Sequence, residues 1–177
     1  DEAIRLDPNF GNAYLERGKV KIRDNDIPGA LKDLGEANTR LPNNPLVYFN
    51  LAQAHFKAGD YERALASAER TNQLDVTNLD NYLLLGQIYA ETDRNDDAIK
   101  ALQVYIKYKS DDVPASVLFG RLLFDIGEYE QTIQMMDRVT ALERSRREPY
   151  LYRFLSNVEL GNGAAADEDL DEALRFY

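Results

Sequence analysis

The feature that most constrains the fold is a sequence pattern that recurs every 34 residues without a gap. At one position of this pattern a small residue appears in four successive units, as Gly18, Ala52, Gly86 and Gly120, and Phe154 ends the series. A second position carries alanine or threonine in all five units: Ala30, Ala64, Ala98, Thr132 and Ala166. A period of this length indicates supersecondary units that must stack to bury a continuous core.

Each unit has the pattern of two amphipathic helices. Apolar residues recur at intervals of three and four, as in Tyr82, Leu85, Ile88 and Tyr89. Glycine, asparagine or aspartate interrupts the pattern midway, at Asn25, Gly59, Asp93, Gly127 and Gly161. We therefore predict a helix hairpin per unit, with helices over 11–24 and 27–41, 45–58 and 61–74, 79–92 and 95–109, 113–126 and 129–143, and 147–160 and 164–176.

The register predicts a single array over residues 1–177. Residues 1–10 are interpreted as the tail of a truncated preceding repeat, and the five units are 11–44, 45–78, 79–112, 113–146 and 147–177. Antiparallel helices approach closely only where the facing residues are small, so helix packing is assigned to Gly18, Ala30, Ala52, Ala64, Gly86, Ala98 and Gly120. The expected fold class is all-α, a right-handed α-solenoid superhelix of antiparallel helix hairpins with one concave face.

The third unit carries a known signature. Tyr82-x-x-Leu85-Gly86-x-x-Tyr89, followed by Ala98-x-x-x-Leu102, resembles the tetratricopeptide repeat pattern W-x-x-L-G-x-x-Y and A-x-x-x-F. The five units in register extend this resemblance over essentially the whole chain. The resemblance implies a non-catalytic scaffold that binds a peptide or a partner protein segment in a concave groove.

The resemblance also implies where a partner would bind, because ligands of this family lie against the first helix of each hairpin. The residues predicted to contact the partner are Leu15, Lys19, Asn50, Gln53, Leu84, Gln87, Leu118, Arg121 and Tyr152. The amides would hydrogen-bond a ligand backbone and the apolar residues would hold its side chains. On this face Lys19, Arg23 and Lys57 make the first two units basic, whereas acids dominate the last three. Directional steering of a charged ligand and chance clustering both stay open.

One ligand of the family is predicted not to bind. Relatives that grip the acidic C-terminus of heat-shock chaperones hold it with Lys and Asn on one first helix, Asn on the next and Lys with Arg on the third. The corresponding residues in the first three units are Leu15, Lys19, Asn50, Asp80 and Leu84. Of these only Asn50 fits, and Asp80 would repel a carboxylate.

Two arginines depart from the repeat pattern. Arg17 and Arg153 occupy the position that holds Leu51, Leu85 and Phe119 in the middle units. We expect this replacement of an apolar side chain to weaken the two end units at the same place.

Composition excludes several function classes. A formal net charge of −10 without a Lys/Arg-rich stripe argues against nucleic acid as a partner. No apolar run approaches the roughly 18 residues of a spanning helix, which predicts a soluble chain without membrane insertion. The compartment is left unknown, with the cytoplasm slightly favoured.

Catalysis and bound groups are not expected. The chain has no cysteine, which rules out disulfides and thiolate-ligated metal. The only histidine, His55, occupies an aromatic position of the repeat and is interpreted as a packing residue. The sequence therefore predicts no enzyme activity, no metal and no cofactor.

Two other functions remain as alternatives. The array could be a structural spacer whose end hairpins stack on one another, because Leu170, Leu174, Phe176 and Tyr177 would otherwise be partly exposed. It could also be the regulatory region of a larger enzyme. The partner's identity, the pathway and the oligomeric state cannot be deduced from this sequence.

Overall fold

The structure, a computed structural model, describes residues 1–176. Within that range the chain forms helices and no strands, which confirms the all-α prediction. The helices are α1 Glu2–Leu6, α2 Gly11–Arg23, α3 Ile27–Arg40, α4 Pro45–Lys57, α5 Tyr61–Leu74, α6 Leu79–Glu91, α7 Asn95–Tyr108, α8 Val113–Asp125, α9 Tyr129–Leu142, α10 Arg147–Glu159 and α11 Gly163–Arg175. Every predicted boundary of the ten hairpin helices is correct to within one residue.

The turns inside the hairpins adopt the left-handed backbone conformation that the sequence pattern indicates. The φ angle is +62° at Asn25, +74° at Gly59, +57° at Asp93, +82° at Gly127 and +74° at Gly161. Glycine adopts this region without strain, and Asn and Asp tolerate it better than other residues. These residues reverse the chain, so that the second helix starts two positions later in each hairpin.

Short polar side chains begin several helices. Asp26 accepts a hydrogen bond from the backbone N–H of Gly29, and Asp60 accepts one from that of Arg63. Asn44, Asn78 and Asp112 cap α4, α6 and α8 in the same way. Such caps satisfy N–H groups that lack a partner in the first turn of a helix, each contributing about 1 kcal/mol.

The chain divides into two compact units, from Asp1 to Thr92 and from Asp93 onward. In the first unit α2 packs on α3 and α4 on α5, while α3 contacts α4 and α5 contacts α6. In the second unit α8 packs on α9 and α10 on α11, while α7 contacts α8 and α9 contacts α10. Within these units α4, α8 and α10 each lie between two second helices, as expected for an α-solenoid of helical hairpins.

The small residues assigned to packing are all buried. At Gly18, an added Cβ would lie 2.8 Å from Cγ of Leu34, inside normal contact distance. At Gly120, it would lie 2.5 Å from Cε of Met136. Glycine at these two places lets the second helix of the hairpin approach the first.

The structure shows what the two arginines contact, while their effect on the stability of the end units stays a prediction. Arg17 donates two hydrogen bonds of 2.7 Å to the carboxylate of Asp33, which is 1% exposed. Arg153 lies 2.7 Å from the carboxylate of Asp169, which is 2% exposed. Each arginine therefore replaces an apolar contact with an ion pair to the second helix of its own hairpin.

Candidate functional site

The candidate site is a cavity of about 510 Å³ in the first unit, where α4 contacts both α2 and α6. Only first helices contribute to it, because the repeat register turns the same face of each first helix toward the cavity. We call it the inner groove. Its lining residues are Lys19, Ile22, Arg23, Asn50, Gln53, Phe56, Lys57, Leu84 and Gln87.

Three cations line the inner groove. The amine of Lys19 lies 2.8 Å from Glu16, and Arg23 pairs at 3.4 Å with the residue that follows it. The amine of Lys57 contacts the carbonyl oxygen of Ile22 at 3.5 Å and, among residues 1–176, has no carboxylate within ion-pair distance. Exposed ion pairs are weak, so these cations can exchange their partners for a ligand carboxylate.

Apolar side chains form the rest of the groove surface. Ile22 and Leu84 are 7% and 5% exposed and supply a firm wall. Phe56 is half-buried, and its ring contacts that of Tyr61 with centroids 5.7 Å apart. A large apolar ligand side chain would therefore meet a surface already held in place.

Three amide side chains complete the lining. The Nδ2 of Asn50 donates a 2.7 Å hydrogen bond to the carbonyl oxygen of Leu46, which leaves its Oδ1 to accept from a ligand. Gln53 on α4 and Gln87 on α6 are half-buried. Amides both donate and accept, which suits contact with a peptide backbone.

The structure brings together five of the predicted contact residues, which all line the inner groove: Lys19, Asn50, Gln53, Leu84 and Gln87. Leu15 does not line it. Leu15 is 3% exposed and belongs to the core cluster formed with Leu34 and Val47, because α3 and α4 both pack against α2 there. The structure therefore removes Leu15 from the candidate contacts.

Four lining residues were not among the predicted contacts: Ile22, Arg23, Phe56 and Lys57. They lie one helical turn beyond Lys19 and Gln53, on the same face. The repeat register already places Arg23 and Lys57 on this face as charged residues, although they are not included among the predicted contacts. Ile22 gave no comparable signal, because a half-apolar helix face does not show which apolar residue meets a cavity.

The remaining predicted contacts lie in the second unit. Leu118 and Arg121 line a separate cavity of about 220 Å³ together with Pro114. Tyr152 is half-buried, and its ring meets Phe124 edge-on with centroids 5.6 Å apart. The pKa of the Tyr152 hydroxyl lies above its usual value, and burial is the main cause.

The residues named for end-to-end stacking have mixed surroundings. Leu174 is 56% exposed, whereas Leu170 is half-buried. Phe176 stacks on Tyr150 with ring centroids 5.7 Å apart. Tyr177 lies outside the described residues, and self-association stays a prediction.

His55 is half-buried on α4, with its Nδ1 3.8 Å from the carboxylate of Asp60. Burial lowers the pKa of His55 from its usual value, so the imidazole is neutral at neutral pH. Among the described residues there is no group of three or more acidic, His or Cys side chains placed to hold a metal ion. In residues 1–176, no helix has the length and apolar character needed to cross a bilayer.

The fold has solved counterparts. A structure of YrrB, described as a tetratricopeptide repeat protein, superposes with a TM-score of 0.91 at 18% identity, covering 99% of this chain and 90% of YrrB. The chain therefore has the fold of a tetratricopeptide repeat protein. A structure of MamA superposes on this repeat array with a TM-score of 0.85 at 22% identity, covering 94% of this chain and 91% of MamA.

Sequence comparisons cover parts of the array. Residues 30–105 match the family described as anaphase-promoting complex, cyclosome, subunit 3. Hsp70-Hsp90 organizing protein 2 of Arabidopsis thaliana is 31% identical over 97 residues, or 55% of this chain and 17% of that protein. The Hsp70-Hsp90 organizing protein of Triticum aestivum is 28% identical over 102 residues, or 58% of this chain and 18% of that protein. The chain thus spans under a fifth of the length of either relative.

Proposed function

We propose that this chain is a non-catalytic scaffold that binds an acidic segment of a partner protein in the inner groove. The observation that carries the proposal is the concentration of Lys19, Arg23 and Lys57 around one partly apolar cavity. The chain as a whole has ten more acidic than basic residues, so this positive site contrasts with its surroundings. Complementary charge would steer an acidic segment to this face and set its direction.

The apolar and amide groups define the rest of the ligand. Phe56 and Leu84 would contact one large apolar side chain of the segment. Gln53 and Gln87 would hydrogen-bond its backbone, as is usual where an extended peptide is held between specific side-chain contacts. We therefore expect a segment in which a bulky apolar residue is flanked by Asp or Glu.

The comparisons support the class of function. The relatives named above are called Hsp70-Hsp90 organizing proteins, and YrrB is described as having an unusual peptide-binding site. None of the proteins named above bears the name of an enzyme. These names favour an assembly or organizing role for this chain also.

We do not propose the acidic C-terminus of heat-shock chaperones as a ligand of this chain. Of the positions that would hold its carboxylates, Leu15 is buried in the core and Asp80 is an exposed acid. The inner groove instead has cations farther along α2 and α4, at Arg23 and Lys57, in addition to Lys19. A different acidic segment fits this arrangement better.

A peptide-display selection tests the proposal. Peptides selected on the whole chain are counter-screened against the variant Lys19→Glu/Arg23→Glu/Lys57→Glu, with Lys32→Glu as the matched control. Lys32 is an exposed lysine on α3, away from the groove. We expect enriched peptides to carry acids around a large apolar residue, and to lose affinity on the order of tenfold or more only in the triple variant. Peptides that bind the triple variant as well as the wild type would overturn the proposal.

A further inference from the structure

The second unit carries a cavity that the inner groove does not explain. It has a volume of about 450 Å³ and is lined by α7, α8 and α9. We call it the outer groove. Its residues are Gln103, Ile106, Lys107, Ser110, Phe119, Gln131, Met135 and Arg138. Phe119 and Arg121 are about 200° apart around α8, so the outer groove lies on the side of α8 away from the predicted contact residue Arg121.

The repeat register shows why this groove is open. In two other places an arginine on a first helix contacts an aspartate on each side of it. Arg17 on α2 contacts Asp1 at 2.6 Å and Asp33 at 2.7 Å. Arg153 on α10 contacts Asp137 at 3.2 Å and Asp169 at 2.7 Å.

The same three register positions around α8 carry Gln103, Phe119 and Met135. Gln103 and Met135 stand where the bridges have aspartates, and Phe119 stands where they have arginine. No charged bridge can form between these three residues. Phe119 and Met135 are 8% and 7% exposed, and with Ile106 they leave an apolar floor between α7 and α9.

The rim of the outer groove is positively charged. Lys107 and Arg138 are exposed on α7 and α9, and neither forms a salt bridge within the part of the chain that the structure describes. The Lys107 amine lies 5.6 Å from the centre of the Tyr108 ring. Gln103, Ser110 and Gln131 supply neutral donors and acceptors beside these cations.

We propose that the outer groove is a second partner-binding surface, occupied by a short acidic segment that inserts one large apolar side chain over Phe119 and Met135. The apolar floor accounts for the inserted side chain, and Lys107 with Arg138 accounts for the flanking acids. Two cations suit a peptide carboxylate pair, whereas a nucleic acid needs a longer basic surface than this acidic chain has. The site is independent of the inner groove in residues and in unit.

The two methionines provide a direct readout, because Met135 lines the outer groove and Met136 is fully buried. The probe is the synthetic peptide acetyl-Glu-Asp-Glu-Trp-Glu-Asp-Glu-amide, added to the whole chain carrying ¹³C-methyl methionine. We expect a saturable shift of the Met135 methyl signal, larger than that of Met136, with dissociation constants up to about 1 mM. An unshifted Met135 signal over that range would overturn the proposal.

The chain has no tryptophan, so fluorescence anisotropy of the peptide tryptophan measures the affinity of each variant. We expect Lys107→Glu/Arg138→Glu to weaken the Met135-detected binding on the order of tenfold, and Arg23→Glu/Lys57→Glu to leave it unchanged. A peptide with Lys in place of each acid should not shift Met135. Equal binding of the acidic and basic peptides would contradict the charge complementarity.

A second variant tests the open groove itself. Gln103→Asp/Phe119→Arg/Met135→Asp copies the bridge seen at Arg17 and Arg153 and should fill the groove with a charged side chain. We expect this variant to keep its helical circular dichroism. We also expect the loss of the part of the peptide anisotropy signal that Arg23→Glu/Lys57→Glu does not change, because that part reports binding in the outer groove. Full retention of that part in a folded variant would place the peptide elsewhere.

Discussion

At the scale of single residues, two aspartates in the same register position have opposite protonation behaviour. Burial raises the pKa of Asp33, but hydrogen bonds from Arg17 and Lys21 outweigh it, so that the pKa lies below its usual value. Burial also raises the pKa of Asp169, and there the contact with Arg153 does not compensate, so the pKa lies above its usual value. Asp33 has a second cation, Lys21, whereas Asp169 has the neutral Asn157 and lies near Asp137 and Glu168, whose charges raise its pKa.

These directions predict opposite effects of pH on stability. The stability from Asp33 is complete above the unfolded-state pKa, near 3.8, and is lost as pH falls through the lower folded-state pKa. For Asp169, the ionised form costs stability at neutral pH, and the chain gains stability as pH falls through the raised folded-state pKa toward 3.8.

Urea unfolding of the wild type, Asp33→Asn and Asp169→Asn across this pH range measures both effects. The free-energy cost of Asp33→Asn should shrink as pH falls below 3.8. Relative to Asp169→Asn, the wild type should gain stability as pH falls from neutral. Parallel curves for the wild type and both variants would contradict the assigned pKa directions.

The Arg17–Asp33 pair also predicts a strong dependence between two mutations. Arg17→Leu leaves the buried carboxylate of Asp33 without its main partner, which should cost about 3 kcal/mol of unfolding free energy. The double variant Arg17→Leu/Asp33→Ser copies the second repeat, which has Leu51 and Ser67 at these positions. We expect it to recover most of that loss in urea unfolding. Additive losses would show that the two side chains are not coupled.

At the scale of the helix hairpin, the space around glycine decides how an alanine is tolerated. Gly18→Ala places a methyl group 2.8 Å from Cγ of the fully buried Leu34, and should cost about 1–3 kcal/mol despite a better helix propensity. Gly35→Ala on α3 is the matched control, because nothing lies within 4 Å of its added methyl. We expect Gly35→Ala to stabilise the chain by about 0.5–1 kcal/mol in urea unfolding. A neutral Gly18→Ala would show that the hairpin does not depend on this close approach.

The helices could be predicted from the sequence because each helix boundary recurs at the same register position in all five repeats. Asn25 or Gly59 would be ambiguous alone, but their recurrence at one register position identifies the turn. The Arg17–Asp33 pair was missed because each register position was considered singly, and its partners lie on different helices. Leu15 was misplaced because an apolar residue on a first helix can face the core as well as a ligand.

At the scale of the whole chain, acidic residues outnumber basic ones by 31 to 21. Against that background, each compact unit has a groove that combines an apolar surface with exposed cations. General acidity keeps non-specific polyanions away, while the local cations would attract short acidic segments. The account therefore depends on local charge contrast rather than on any catalytic group.

Site-specific photocrosslinking tests the central claim most directly. A benzoylphenylalanine is placed at Gln53 in the inner groove or, as the control, at Lys32 on the exposed face of α3. The display-selected acidic peptide is then irradiated with each variant. The account predicts a covalent product from position 53 and none from position 32, whereas a product from position 32 alone would contradict it.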